Sequence, residues 1–346
     1  MSEVLRPAAV RSPTLEDVAK VAGVSRATVS RVINTTRNVD PAIRDTVIQA
    51  IEATGYVPNS AARSLVTRRT GTISLVLSGA RDLSDGQVFV DPFFGRAASG
   101  VVSFLRTRGT HPVVMLADTE KSRIQVVDFL RQGNADGAVL ISTHSADPLP
   151  KMLVDAGLPA VLFARPHRPL PISYVDLAHH AGAALAADHL VSRGRRRVVT
   201  ISGPLDVLAS QDRLGGFQEA MARHGMASVP YVEGNFTLGS GEKAMRQLLD
   251  ENPDLDGVFA ANDLMAQGAL HVLRDHGRRV PEDVSVVGFD DSSAATASRP
   301  ELTTVRQPVE DMVAEMTRLL LDSLDQHDRR VTSIIFEPTL VVRQSA

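Results

Sequence analysis

The chain of 346 residues contains no cysteine. That absence excludes disulfides, thiolate zinc sites, Cys-ligated iron–sulfur clusters and cysteine nucleophiles together. No run of 18 apolar residues occurs either, so no segment reads as a membrane-spanning helix. The opening stretch MSEVLRPAAVRSPTLEDVAK lacks the apolar core of a secretory signal, and a cytoplasmic location is the expectation. Also missing are a GxxxxGK(S/T) phosphate loop, a GxGxxG after a strand, HExxH and GxSxG. His179, His180 and His189 fall on one predicted helix, and His271 and His276 are five residues apart. Neither set has the spacing of a metal pair on one face, and solvated helix faces are expected for all five. Asp290 and Asp291 are adjacent, yet no nucleophile motif accompanies them. The expectation is a protein that is not an enzyme and holds no metal or cofactor.

What is present is an ordinary balance of 43% hydrophobic and 22% charged residues, enough for a large core in two or three domains. The net charge of −3 conceals an asymmetry. Residues 1–70 hold ten Lys and Arg against six Asp and Glu, whereas residues 71–346 hold 27 against 34. A small basic head on an acidic body points to an anionic partner for the head alone.

In the head, Thr14 reads as an N-cap with Asp17 in the first turn, and Leu15, Val18, Ala19 and Ala22 follow helical spacing up to Gly23. Ser25 caps a second helix from about Arg26 to Asn34. Asp40-Pro41 opens a third, with Val47, Ile48 and Ile51 as its apolar stripe and Gly55 as its stop. Three short helices with a Gly-containing turn between the first two make a helix-turn-helix pattern. Such a unit places the start of its second helix in the major groove. Arg26, Ala27 and Arg31 would then face base edges, where arginine can bond guanine with both arms of its fork. Ser25, Thr28, Ser30 and Asn34 suit phosphate. A polar helix on the surface of a helical domain gives the same pattern. Further on, Asn59 can cap a short helix from Ser60, with small Ala61 and Ala62 and apolar Leu65. Seven or eight residues are too few to be helical alone.

From Gly71 the pattern changes. Strands are predicted at 72–77, 113–117, 137–141, 160–163, 197–201, 257–260 and 284–288. The helices predicted between them are 97–107, 123–132, 181–192, 212–223, 240–250 and 264–275. Alternation of this kind means parallel sheets joined by right-handed crossovers. Its length implies two similar α/β lobes with a ligand cleft between them.

The letters narrow the reading. TLEDVAKVAGVSRATVSRVIN, from Thr14, resembles the DNA-binding head of the LacI/GalR family of bacterial transcription regulators, and GYVPNSAARSL, from Gly55, resembles the end of that head and its hinge helix. In the body DGAVLIS, GLPAVLFAR, DHLVSRGRRRVVTISG, DRLGGF, FAANDLMAQGAL, PEDVSVVGFDD and LTTVRQP resemble the family's core, so the likeness covers nearly the whole chain. The resemblance implies a three-helix head at 13–58, a hinge helix and linker at 59–70, and an effector-binding and dimerisation core at 71–346. That core would be two-lobed and similar to periplasmic sugar-binding proteins, with parallel sheets flanked by helices. Lobe 1 is placed at about 71–175 and 305–330, lobe 2 at about 176–304 and 331–346.

The resemblance further implies a homodimer on a pseudo-palindromic double-stranded operator, with Thr14, Ser25, Arg26, Ala27, Thr28, Ser30, Arg31, Asn34 and Asn38 among the contacts of the head. Asn59, Ala62 and Leu65 match the hinge, and Leu65 matches a leucine that wedges into the minor groove. By motif position Phe93, Arg213, Asn262 and Asp290 match residues that bind a small-molecule effector, with a carbohydrate the expected class. Aspartate, asparagine and arginine suit the hydroxyls of a polyol. Two departures stand out: Ala164 where many members carry Asp, and Asp176-Leu177 where many carry Asp-Asn. Arg165 beside the first could meet an anionic ligand or form an ion pair. A solute-binding protein that binds no DNA is the alternative for the body, but it leaves Thr14–Asn34 unexplained. The tail TSIIFEPTLVVRQSA has no heptads, so a dimer is expected rather than a tetramer.

Overall fold

Twelve helices and twelve strands form among residues 13–33, 39–57, 69–78, 91–142, 144–325 and 330–346, the residues that the computed structural model describes. The chain divides into two units, Met1–Thr70 and Gly71–Ala346.

The first unit holds helices α1 (Leu15–Ala22), α2 (Arg26–Ile33) and α3 (Pro41–Thr54). Thr14 and Asp17 form a reciprocal capping box, and Gly23 closes α1 in the left-handed conformation. Capping of this kind contributes about 1 kcal/mol. Asp40 caps α3 from Ala42 N at 2.8 Å, with Pro41 behind it, and Gly55 ends that helix as Gly23 ends α1. Val18, Ala19, Ala22, Val29, Val32, Val47 and Ala50 form the shared core. Ile48, expected on the apolar stripe, is exposed instead. A 14-residue helix buries only one side against two short partners, and Val47 and Ala50 occupy that side.

The second unit contains two sheets. The first has strands β1 (Thr72–Ser78), β2 (His111–Ala117), β3 (Gly137–Ser142), β4 (Ala160–Phe163), β5 (Ser173–Leu177) and β11 (Ser333–Phe336), in the order β2-β1-β3-β4-β5-β11. The second has β6 (Val198–Ser202), β7 (Tyr231–Glu233), β8 (Gly257–Ala260), β9 (Ser285–Asp290), β10 (Thr303–Arg306) and β12 (Thr339–Val341), in the order β7-β6-β8-β9-β10-β12. The first sheet is parallel throughout, and in the second only β12 runs antiparallel, on β10. The two orders are the same doubly wound pattern, with its switch beside the first strand of each lobe. The central strands β8 and β9 are buried throughout, and β3 up to its last residue Ser142, as a sheet covered on both faces requires.

Helices α4 (Pro92–Arg106), α5 (Glu120–Arg131), α6 (Leu149–Asp155) and α12 (Val309–Asp325) pack on the first sheet. Helices α7 (His179–Ser192), α8 (Leu208–Arg223), α9 (Leu238–Glu251) and α10 (Asp263–Asp275), with the short α11 (Ser293–Ala297), cover the second. The chain crosses between lobes after β5, after β10 and after β11. The last crossing falls at 337–338 rather than near 330, because Ser333–Phe336 pair with Tyr174–Leu177 as an edge strand of the first sheet. Of the short strands β5, β7, β10, β11 and β12, only β12 falls in a run that reads as strand-like, the end of the tail; the others have three to five residues each, too short for a period to show.

Candidate functional site

The exposed face of α2 begins at Ser25, whose Oγ accepts from Thr28 N at 3.1 Å and meets Thr28 Oγ1 at 2.9 Å. Arg26, Ala27 and Arg31 are exposed on this helix, and Thr28 and Ser30 half-buried, while Val29 and Val32 turn inward. Arg26 reaches Glu16 at only 3.7 Å across solvent, a pair worth little. Thr14 is committed to capping, through Asp17 Oδ2 at 2.7 Å. Asn34, Asn38, Asn59, Ala62 and Leu65 lie outside the described residues, and with them the hinge helix.

Between the two lobes of the second unit lies a cleft of about 1330 Å³. Its walls come from the carboxyl ends of strands and the turns after them, where a doubly wound sheet leaves room for a ligand. Lobe 1 contributes Phe93 and Phe94 from α4 and Phe163 from the end of β4. Asp91 caps α4, accepting from Phe93 N at 2.9 Å, and this cap aims the two rings. Phe93 packs edge-on against both Phe94 and Phe163, centroids 5.2 Å apart in each case. Lobe 2 contributes Arg213, Asn262, Asp290 and Phe236, with Gln307 at the second crossing.

Arg213 lies in the second turn of α8 and is 5% exposed. Its guanidinium lies over the Phe289 ring at 3.7 Å. Nη1 donates to Ala261 O at 2.5 Å and faces Asp290 Oδ1 at 3.3 Å; Nη2 donates to Gln307 Oε1 at 3.0 Å; Nε donates to His179 Nδ1 at 3.3 Å. The helix that carries it approaches α7 backbone to backbone. A Cβ on Gly216 would lie 2.2 Å from His180 O, so only glycine permits this approach.

Asp290 ends β9 with φ at 102°, and Asp291 follows at 51°. Non-glycine residues adopt such angles at a cost of roughly 1–3 kcal/mol, and they concentrate at functional sites. The Asp290 carboxyl is pushed up to about 6, first by burial, against the pull of Arg213. Behind it Asp263 accepts from Ser292 N and Thr304 Oγ1, each at 2.6 Å; burial and then the Asp290 charge push it up to about 8.

Asn262 lines the cleft but is half spent. Its oxygen caps α10 from Met265 N at 2.9 Å, and its amide donates to Phe236 O at 2.9 Å. One lone pair and one N–H remain for a ligand. Arg165 bridges the lobes, holding Asp176 at 3.2 Å and Asp212 at 2.6 Å. Of the two readings left open for Arg165, the ion pair is the one the geometry displays.

The structure thus brings Phe93, Arg213, Asn262 and Asp290 to one cleft. Sequence reasoning missed Gln307, although it lies in the LTTVRQP stretch. It also misplaced His179, which is 3% exposed rather than solvated, because α8 seals the first turn of α7. Among the described residues no helix is long and apolar enough to cross a membrane, and no three ligating side chains cluster as a metal site would.

Comparison with known proteins agrees at both ends of the chain. Residues 14–59 match the model for bacterial regulatory proteins of the lacI family, and residues 187–346 that of a periplasmic binding protein-like domain. The HTH-type transcriptional regulator CelR of Thermobifida fusca is 45% identical over 97% of this chain and 98% of its own. GalR of Escherichia coli is 33% identical over 96% and 95%. A solved complex of transcriptional regulator CelR with cellobiose superposes with a TM-score of 0.75 at 43% identity, covering 96% of this chain and 100% of that one. The lac repressor dimer bound to operator and the anti-inducer ONPF reaches 0.83 at 26% identity, covering 97% and 99%. With this likeness running the length of the chain, the protein belongs to the LacI family of bacterial transcriptional regulators.

Proposed function

We propose that this protein is a repressor whose homodimer binds a pseudo-palindromic operator and releases or tightens it when a neutral carbohydrate enters the cleft. The observation that carries the effector reading is Arg213. It is a buried guanidinium held on four sides and opposed by a strained, partly neutralised Asp290, facing a cleft whose other wall is aromatic. Polar groups on one side and ring faces on the other are what a sugar offers partners for: hydroxyls at its rim and C–H faces above and below. Of the arginines that line the cleft, Arg213 and Arg165 are each paired with carboxylates, which favours an uncharged ligand over a sugar phosphate. The complex of the CelR relative with cellobiose supports a β-linked glucose disaccharide as the first compound to try.

In the head, α2 would lie in the major groove with Arg26, Ala27 and Arg31 toward bases, and Ser25, Thr28, Ser30, Asn34 and Asn38 toward the backbone. The segment 59–70 would fold as a hinge helix on DNA, Asn59 capping it, Ala62 allowing close approach and Leu65 wedging into the minor groove. The lobes of 71–346 would couple the two ends. Such coupling is typically about 1–3 kcal/mol and reciprocal, so operator DNA must change sugar affinity by the factor by which sugar changes operator affinity.

The test is selection of random duplexes on the full chain, with and without cellobiose. Enrichment of a palindrome that cellobiose abolishes or sharpens is expected. No enrichment in either condition, with cellobiose still bound, would replace the repressor with a solute-binding protein. Arg31→Ala should then weaken the selected operator far more than random DNA; equal losses on both would reassign Arg31 to phosphate contact.

A further inference from the structure

His179 is the first residue of α7, directly after the first crossing between the lobes. The effector reading above gives it no part. Its ring is buried, at 5.9 Å and tilted from the ring of Phe289, the same ring that carries the Arg213 guanidinium.

The ring's protonation is fixed by its partners. Arg213 Nε donates to His179 Nδ1 at 3.3 Å. A guanidinium has only donors, so Nδ1 must present a lone pair, and the single proton of the neutral ring sits on Nε2. Nε2 faces Asp176 Oδ1 at 3.6 Å. Asp176 is itself held by Leu177 N at 2.9 Å and by Arg165 at 3.2 Å. A doubly protonated ring would turn an N–H against the Nε–H of Arg213. Burial first, and then the charges of Arg213 and Arg165, hold His179 well below the usual histidine range, so the acceptor persists.

The consequence lies in the donors of Arg213. Four of its five N–H groups are directed at His179, Ala261 O, Asp290 and Gln307, while one guanidinium face is covered by Phe289. The Nε contact holds the stem side of the fork while the others hold its tips, so it shares in setting where the remaining N–H points. We propose that His179 is a positioning residue for effector recognition: as a neutral Nε2–H ring it locks the Arg213 fork so that the remaining donor faces the cleft. The proposal rests on the reading that Arg213 binds the effector.

Two measurements on the full chain test it. In the first, cellobiose affinity is measured by calorimetry on three variants. Asn places its side-chain oxygen where Nδ1 was, whereas Gln reaches the Nε2 position and Ala neither. His179→Ala and His179→Gln should each lose at least tenfold in affinity, and His179→Asn should stay within about threefold of the parent. Equal losses for Asn and Gln, or no loss in Ala, would overturn the proposal. A purely packing role predicts the reverse ranking, because Gln fills the ring's space better than Asn.

The second measurement needs no ligand. Nitrogen shifts of 15N-histidine-labelled protein, with the His179 signals assigned by their loss in His179→Gln, should show the Nε2–H tautomer unchanged from pH 8 to pH 5. An Nδ1–H tautomer, or a ring that titrates in that range, refutes the proposal. Should the parent chain bind no cellobiose, the carbohydrate reading fails and the tautomer decides this one alone.

Discussion

The two lobes share a strand order but face the cleft with different chemistry. Lobe 2 presents Arg213, Asn262 and Asp290, polar groups that are nearly inaccessible and tied to backbone, to one another or to Gln307. Lobe 1 presents Phe93, Phe94 and Phe163 in edge-on contact, with Arg165 at its margin. The difference shows how one topology divides a recognition task. Buried polar groups need a wall that cannot relax, and lobe 2 supplies it through the close contact at Gly216 and the short tie between Asp263 and Thr304. Aromatic faces need only shape, and a capped helix start such as that of α4 suffices.

If lobe 2 carries the directional energy, its removal must cost most. Arg213→Ala leaves Asp290 buried beside an empty place. Breaking such a pair costs about 3–5 kcal/mol. That cost falls on stability; for the ligand, losing a hydrogen bond to a charged donor is worth about 1.5–3 kcal/mol, so cellobiose affinity should fall by up to about 100-fold. Arg213→Lys should not restore it, because an ammonium cannot make the fork. Calorimetry showing a tenfold loss or less would erase the contrast between lobes.

Protonation offers a gentler break on the same side. A hydroxyl donates to the Asp290 carboxylate, and that carboxyl is pushed up to about 6. Affinity should therefore fall as pH drops through 6, toward tenfold per unit, and Asp290→Asn should flatten the profile. Stability runs the other way. The native carboxyl takes up its proton at higher pH than the unfolded one, so its contribution is full below about 3.8 and is lost as pH rises through 6. Affinity that is level from pH 8 to pH 5 argues against a charged acceptor.

On lobe 1 the effects should be smaller. Phe93→Ala removes one ring contact, worth about 0.5–1.5 kcal/mol beyond the area lost, so a drop near tenfold is expected. A loss as large as that of Arg213→Ala would make the lobes equivalent. Smallest is Arg165→Ala. Its partners Asp176 and Asp212 are protein carboxylates, and affinity for a neutral sugar should stay within about threefold. A much larger loss would give Arg165 a ligand of its own.

Several long features of this fold are legible in the letters, although the 17-residue α12 carries no sequence expectation. The capping box at Thr14, the continuous apolar runs at β3 and β8, and the helices α7 to α10 follow from periods and caps that need no tertiary knowledge. Helices α4 and α5 start earlier than their apolar spacing predicts, because the first turn is set by the caps Asp91 and Thr119 rather than by a period. The cleft was legible where a motif surrounds the residue, as at Arg213 and Asp290. Asn262 was legible as a cleft residue but not as a helix cap tied to Phe236. His179 was not, since its burial comes from α8, a helix some thirty residues later, and nothing local records that contact.

The strands β11 and β12 lie within ten residues of each other, yet one finishes the sheet of lobe 1 and the other that of lobe 2. During synthesis, then, lobe 1 lacks its last strand until residue 336 has been added, and lobe 2 lacks its own until residue 341. Domains usually fold in the order they emerge. Here two sheets whose first strands emerge more than a hundred residues apart must both wait, edges open, for the same short stretch of chain. The head, whose core closes by Tyr56, waits for nothing.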